Sequence, residues 1–338
     1  MSSDTQANWA PPRATPHNLA PEHLADWRKT TDELRTLAIG EGLSRSETSR
    51  RADVPLGTLS PWYDGTYTGV YNNVTERVRR WLTAFAEAKA AQLTLPTGPG
   101  FILTPTAKKL TEALLYAQTM PEFTIATMGA GVGKTMTARN YVATRPHAYL
   151  VTMRPSTAAR HAMLQELALS LDVFERNPAR LDRAIGAKLK RNGRHTLLIL
   201  DEAQNLSDEA VNQLRFLNDE YGCGIALLGN EAVYRRFGTM LNDDRHDDAS
   251  AQIQRRIGLR ILQRQPVSAD IDAYLDGWSI EDADCRRLGH AIARKPGAIG
   301  QLDKVLRLAH MIAVGADEAF SPLHIRKAWS NRSGEELR

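Results

Sequence analysis

The stretch TIATMGAGVGKTMTARNY, residues 124 to 141, decides how the rest of the chain is read. An apolar run ends in a glycine-rich turn, and a helical pattern begins at Lys134. Glycine serves such a turn in two ways: it accepts positive φ, and it lets backbone N–H groups approach an anion closely. Gly129, Ala130, Gly131, Val132 and Gly133 form the turn. Lys134 is placed to reach the β- and γ-phosphates of ATP, and Thr135 offers a hydroxyl to Mg2+. Met136 continues the first helical turn, whose N-terminal dipole favours the anion. The strict pattern G-x-x-x-x-G-K-[ST] asks for glycine at position 128, where this chain has Met128. That residue stands at the loop entrance, where its side chain can turn away if φ stays negative.

Outward from the loop, short apolar runs alternate with amphipathic stretches. The runs FTIAT, AYLVTM, TLLIL, GIALLG and LRIL have the length of strands buried in a parallel sheet. Helical patterns cover Lys134–Val142, Thr157–Leu171, Arg180–Arg191 and Ser207–Tyr221. The alternation predicts an α/β domain with right-handed crossovers. TLLILDEAQNL ends one run in Asp201-Glu202, which places two carboxylates where open parallel sheets bind ligands. Asp201 then serves the metal, and Glu202 polarises an attacking water as general base. Asn230 ends the run GIALLGN and either orients the same water or caps a helix Glu231–Phe237.

Composition sets broad limits. The 338 residues carry a formal net charge of +4 and are 42% hydrophobic and 24% charged, ordinary values for a globular chain. Mild basicity permits a polyanionic partner without demanding one. Two cysteines, Cys223 and Cys285, form neither a metal spacing nor a disulfide framework, which suits a reducing cytoplasm. No apolar run approaches the roughly 20 residues that a membrane span needs.

The expected organisation is a flexible tail over residues 1–20, a helical domain over 21–90 and a Pro/Gly linker over 91–105. An α/β core then covers 106–265, and a helical C-terminal domain 266–338. In the helical domain, Ser44 and Glu47 form an S-x-x-E capping box. A turn at Asp53–Val54 and a second helical stretch from Pro55 have the spacing of a helix-turn-helix. Val54, Leu59 and Trp62 are expected to pack inward, with Thr58, Ser60 and Tyr63 facing DNA and Arg45, Arg50 and Arg51 on phosphates. Asp53 stands where such turns usually have glycine, and Pro61 removes a backbone donor from the second helix. A small helical adaptor that binds protein is the other reading of this domain.

The phosphate loop, the LDEAQNL box, the polar strand end and the small helical domain that follows resemble the AAA+ ATPases. Within that family, the LDEAQNL form is similar to the ATPases that serve transposases and to the related origin-recognition and secretion ATPases. With GTLSPWYDGTYTG and VRRWL ahead of that core, the chain is similar to the transposition protein B family of Mu-like bacteriophages. The resemblance implies an AAA+ P-loop fold with a helical lid, preceded by an all-α helix-turn-helix domain. It also implies ATP-dependent binding to double-stranded DNA without sequence preference, helical homo-oligomers on target DNA, and stimulation of a transposase partner in the bacterial cytoplasm. An arginine finger from the neighbouring subunit falls on Arg255 or Arg256, and the lid sensor position on Gly300, with Lys304 one turn on. Filament contacts to DNA are expected from the basic junction TMRPSTAARH, at Arg154, Thr157 and Arg160. A helicase loader or replication initiator, and an ATP-switched regulator that reads an operator, are the alternatives.

Overall fold

The computed structural model describes residues 9–94, 98–193, 195–233 and 255–336. The chain divides into two compact units, Met1–Leu95 and Pro96–Arg338. Among the described residues no helix is long and apolar enough to cross a membrane.

The first unit is all helix: α1 Pro21–Gly40, α2 Arg45–Arg51, α3 Leu56–Asp64 and α4 Tyr71–Thr94. The Ser44 hydroxyl accepts from the Glu47 N–H at 3.2 Å and starts α2. The turn to α3 passes through Asp53 at φ 51, the left-handed conformation that glycine ordinarily supplies. Pro61 removes a donor without ending α3, which closes at Gly65 in a left-handed cap. Val54, Leu59, Trp62, Val74, Val78 and Leu82 are buried in one core.

Two expectations fail in this unit. Residues 9–20, assigned to a flexible tail, are docked from Trp9 onward. Trp9 is fully buried, and its indole N–H donates to the Leu43 carbonyl at 2.7 Å. Ala14 N donates to the Asp64 carbonyl at 3.0 Å. A large ring with one satisfied polar atom gives a short segment enough buried area to hold it in place. The second failure is Tyr63, expected on the DNA-facing side. It is fully buried, edge-on to Trp9 at 5.0 Å between ring centroids, with its hydroxyl donating to the Ala10 carbonyl at 3.0 Å. Leu59, Trp62 and Tyr63 follow the i, i+3, i+4 spacing of a single helix face, and that face is the core.

The second unit is built on a parallel sheet of order β2-β3-β4-β1-β5. Its strands are β1 Phe123–Met128, β2 Ala148–Thr152, β3 Leu197–Asp201, β4 Gly224–Gly229 and β5 Ile257–Gln263. Strands β1, β3 and β4 are buried at every residue, which is why each reads as an unbroken apolar run. Successive side chains point to opposite faces. Ile125, Leu198, Leu200, Ile225 and Leu227 face a core shared with α7 Arg160–Ser170, α8 Leu181–Asn192 and α9 Asp208–Tyr221. Ala126, Met128, Leu197, Ile199 and Leu228 face the other, shared with α5 Pro105–Thr119 and α6 Lys134–Thr144.

Four further helices, α10 Ser268–Gly277, α11 Ala283–Ala293, α12 Ala298–Gly315 and α13 Pro322–Ser333, enclose their own core around Leu275, Leu288, Leu302, Leu306 and Ile325. The fully buried Asp270 ties this bundle to the sheet layer. Its carboxylate accepts from Thr106 N at 2.7 Å, Thr106 Oγ1 at 2.6 Å and Val267 N at 2.9 Å. Helix α5 was not anticipated, although Thr104 caps it and Pro105 opens it.

Candidate nucleotide site

The turn after β1 has the geometry that its glycines suggest. Gly131 lies at φ 77 and Gly133 at φ 98. A Cβ on Gly129 would sit 1.9 Å from the Arg264 carbonyl oxygen, and one on Gly131 would sit 1.8 Å from that of Gly297. Neither position therefore admits a side chain. Met128 is the last residue of β1, 1% exposed, with its side chain in the core. The off-pattern residue belongs to the strand, and the anion-binding backbone begins after it.

Behind the loop, the start of α6 and the end of β3 bring four predicted residues together. Thr135 Oγ1 donates to Asp201 Oδ2 at 2.6 Å. Lys134 Nζ lies 3.4 Å from Glu202 Oε1 and 3.7 Å from Asp201 Oδ1. Asp201 is 1% exposed and also accepts from Glu202 N at 2.9 Å. A hydroxyl and a carboxylate at hydrogen-bond distance are oxygen donors of the kind that Mg2+ takes beside nucleotide phosphates. Lys134, held here by two carboxylates, has the charge and reach for those phosphates. The residues present fit an ATP–Mg2+ ligand.

A cavity of about 530 Å³ opens over the loop, lined by Gly129, Ala130, Gly131, Val132, Gly133, Lys134, Thr135 and Met136 together with Glu202. Its far wall was not anticipated. Pro99–Ile102 and Thr104, within the stretch assigned to a linker, line it with Tyr274, Ile299, Asp303 and Arg307. Residues 99–102 and 104 of that stretch are thus wall as well as connection, and residues 91–94 are the end of α4.

At the expected sensor position, the Gly300 N–H donates to the Gly131 carbonyl at 3.0 Å, so the lid helix α12 docks directly on the phosphate loop. Lys304 is exposed and does not line the cavity. Arg307, seven residues past Gly300, does: its Nε donates to Asp303 Oδ2 at 2.9 Å, and Asp303 Oδ1 accepts from the Tyr274 hydroxyl at 2.6 Å. Burial, followed by the Asp303 hydrogen bond, raises the Tyr274 pKa above the usual phenol range. The Asp303 hydrogen bond raises that of Arg307. The readable signal was the i, i+4 pair of Asp303 and Arg307.

The remaining predicted residues are spread around the unit. Asn230 is exposed, and its Oδ1 accepts from Ala232 N at 2.9 Å, capping the turn Glu231–Val233. The rest of the helix expected to reach Phe237 lies outside the described residues. Arg255 and Arg256 precede Ile257, which pairs with Phe123 at the start of β1, whereas Met128 pairs with Gln263. Strand rise places them about 20 Å from the loop of their own subunit. Arg256 makes a two-pronged ion pair with Asp219 at 2.6 and 2.8 Å; Arg255 is exposed.

Of the expected DNA contacts, Arg154 pairs with Glu166 at 2.8 Å, and Arg160 is exposed. Thr157 is buried and its hydroxyl accepts from Arg154 N at 2.9 Å, so it shapes the turn and does not face a ligand. In the first unit Arg50 is exposed and Arg51 pairs with Glu47, while Thr58 and Ser60 are half-buried. Arg45 is held by Asp64 at 2.8 Å.

A family model described as AAA domain matches residues 121–237, and one described as Mu B transposition protein, C terminal, matches residues 255–331. The "ATP-dependent target DNA activator B" of Escherichia phage Mu and that of Escherichia phage D108 are each 32% identical over 88% of this chain and 92% of their own length. The Mu-like prophage FluMu DNA transposition protein B of Haemophilus influenzae is 30% identical over 76% of this chain and 88% of its own. Among solved structures, Cdc6p from Pyrobaculum aerophilum superposes with a TM-score of 0.52 at 18% identity, covering 71% of this chain and 70% of that one, a likeness of fold alone. With an AAA+ core, an assembled phosphate site and this identity along nearly the whole length of its relatives, the chain belongs to the Mu B transposition protein family.

Proposed function

We propose that this protein is an ATP-dependent, largely non-sequence-specific DNA-binding ATPase that oligomerises on target DNA and delivers it to a transposase. Hydrolysis of ATP to ADP and phosphate drives disassembly. The observation that carries the reading is the joining of Lys134, Thr135, Asp201 and Glu202 at one strand end under a docked lid helix. The names of the relatives, which specify an ATP-dependent activator of target DNA and a DNA transposition protein, support the DNA and transposase parts.

In this reading Lys134 leaves the two carboxylates for the β- and γ-phosphates. Thr135 and Asp201 would hold Mg2+, which when bound would offset phosphate charge. Glu202 takes the proton of the attacking water, and Asn230 orients that water if it gives up its cap. Arg255 and Arg256 are too far from their own loop to act there. They suit a neighbour's site, for which Arg256 would first leave Asp219. A charge supplied only across a subunit boundary makes hydrolysis depend on assembly, and ATP binding to the assembled form favours assembly. DNA is then held by many weak phosphate contacts, among them Arg160 and Arg154, with strong salt dependence. Arg50 and Arg51 add an auxiliary contact from the first unit.

Electron microscopy on random-sequence DNA tests the proposal. Oligomers are expected with ATP and not with ADP or without nucleotide. Lys134→Ala should abolish them, and Glu202→Gln should trap them by blocking hydrolysis. A protein that stays monomeric with ATP and DNA overturns the reading.

A further inference from the structure

The function proposed above leaves one edge of the sheet and one aromatic ring without a role. We propose that the outer edge of β2, together with the helix end that carries Leu169 and Phe174, docks an extended segment of another protein bearing apolar and acidic side chains.

Among the described residues β2 pairs with β3 alone, so its other side is an edge of the sheet. Backbone groups along a strand alternate in direction. The His147 carbonyl accepts from Leu197 N at 2.9 Å, and Met153 N donates to the Asp201 carbonyl at 2.8 Å, so both face β3. Ala148, Leu150 and Thr152 therefore aim their N–H and C=O groups outward. The Ser170 hydroxyl reaches the Leu150 carbonyl only at 3.5 Å, beyond the usual hydrogen-bond range. A groove of about 370 Å³ lies here, and Leu150, Thr152, Arg154, Glu166 and Leu169 are among the residues that line it. An open edge of this kind is a template for one more strand.

The apolar anchors come from the end of α7. Leu169 is 69% exposed and Phe174 is 93% exposed, more than any other large apolar residue among those described. The turn that bears Phe174 holds it out. Asp172 at φ 54 reverses the chain, and Val173 N donates to the Ala168 carbonyl at 2.8 Å while its side chain packs on the sheet core. After Phe174, the Glu175 carboxylate accepts from Asn177 N at 2.7 Å, and Asn177 Oδ1 accepts from Ala179 N at 3.0 Å. The ring thus stands in water between two braced points. A single exposed apolar residue is commonplace; two of them at one helix end, with a groove and an open strand edge, make a surface that a partner can cover.

Charge selects the occupant. From Val173 to Asn192 the chain carries six basic residues, Arg176, Arg180, Arg183, Lys188, Lys190 and Arg191, against two acidic ones. Both acids are turned to backbone: Glu175 to Asn177 N, and Asp182 to Arg183 N at 2.8 Å. Arg176, Arg180 and Arg183 are exposed. A basic surround favours an acidic partner. DNA is acidic, but a duplex has no peptide groups for the strand edge and keeps its apolar base faces stacked inside. An extended acidic protein segment meets all three demands, since alternate side chains of a strand can be apolar on the face it buries.

A displayed library of random short peptides, panned on the full chain with ATP, tests the proposal. Enriched peptides should mix apolar and acidic residues, and one of them, made synthetically, is the probe for affinity by fluorescence anisotropy. The double variant Phe174→Ser, Leu169→Ser should weaken its binding by about ten-fold or more, as expected for loss of anchor residues. That variant changes exposed side chains, so ATPase activity and DNA affinity should stay at the wild-type level. Thr152→Pro removes an outward N–H that β3 does not use. It should weaken the peptide by a similar factor, because an edge strand tolerates proline but an added strand needs the donor. Hydrogen exchange at Leu150 and Thr152 should slow when the peptide is bound. Arg176→Glu with Arg180→Glu should lower affinity and reduce its salt dependence. A library that enriches no peptide, or peptides that bind every variant alike, overturns the proposal. So does a loss of DNA affinity in Phe174→Ser, Leu169→Ser, which would give this surface to DNA. A change of oligomeric state in the same variant, read by light scattering, would make the occupant a second copy of this chain and overturn it as well.

Discussion

Two regions of this molecule each carry a motif with an off-pattern residue, and the two departures have different consequences. In the phosphate loop, Met128 stands where the strict pattern has glycine and the turn still forms, because the Met128 side chain enters the sheet core before the anion-binding turn begins. In the helical first unit, where a helix-turn-helix is expected, Asp53 stands at a position that usually has glycine and Pro61 interrupts a donor ladder, yet both helices form. What changes there is the surface. The segment from Trp9 packs against Tyr63, and Asp64 holds Arg45, so two residues expected to meet DNA are taken into the domain. A motif that works through backbone geometry can be judged residue by residue. One that works through an exposed face depends on what else in the chain covers that face.

The comparison can be broken most sharply at Trp9. Trp9→Ala removes a fully buried ring and should cost about 3–5 kcal/mol, read by urea unfolding. No change would return residues 9–20 to a loose tail. Next comes Met128→Gly, which restores the strict loop pattern. It should lose about 3 kcal/mol of stability through the cavity and the freed backbone. Nucleotide affinity, measured by titration, should be unchanged; a gain would mean that Met128 belongs to the loop after all. The smallest effect is expected at the turn. Asp53→Gly relieves a left-handed non-glycine residue but loosens the unfolded chain, for a net gain of about 0.5 kcal/mol or less in thermal unfolding. A loss would show that the Asp53 side chain matters for more than its conformation.

Much of the second unit was readable in advance because central parallel strands are buried on both faces. Residues such as Leu197–Leu200 then form apolar runs that carry little else. Lys134, Thr135, Asp201 and Glu202 were readable for a related reason: a strand end followed at once by a turn leaves few places for a side chain to go. Helix α5 is less legible: Leu110, Ala113, Leu114 and Ala117 repeat at helical spacing, but the Pro/Gly stretch before them carries the signals of a linker. The burial of Tyr63 is not legible either, because a nine-residue helix offers too few turns to fix which face is covered.

By itself the sequence determined the five strands, the phosphate-binding backbone and the pair of carboxylates at the end of β3. These depend on local conformational preference and on apolar periodicity within single segments. Only the tertiary structure decided that Phe101, Tyr274 and Arg307 share a cavity with the phosphate loop, that Thr157 and Tyr63 are buried, and that Leu169 lines a groove at the outer edge of β2. Each of those facts needs two or more segments to be fixed against one another. Such long-range burial is paid for by the whole core and leaves no mark in any one stretch of residues.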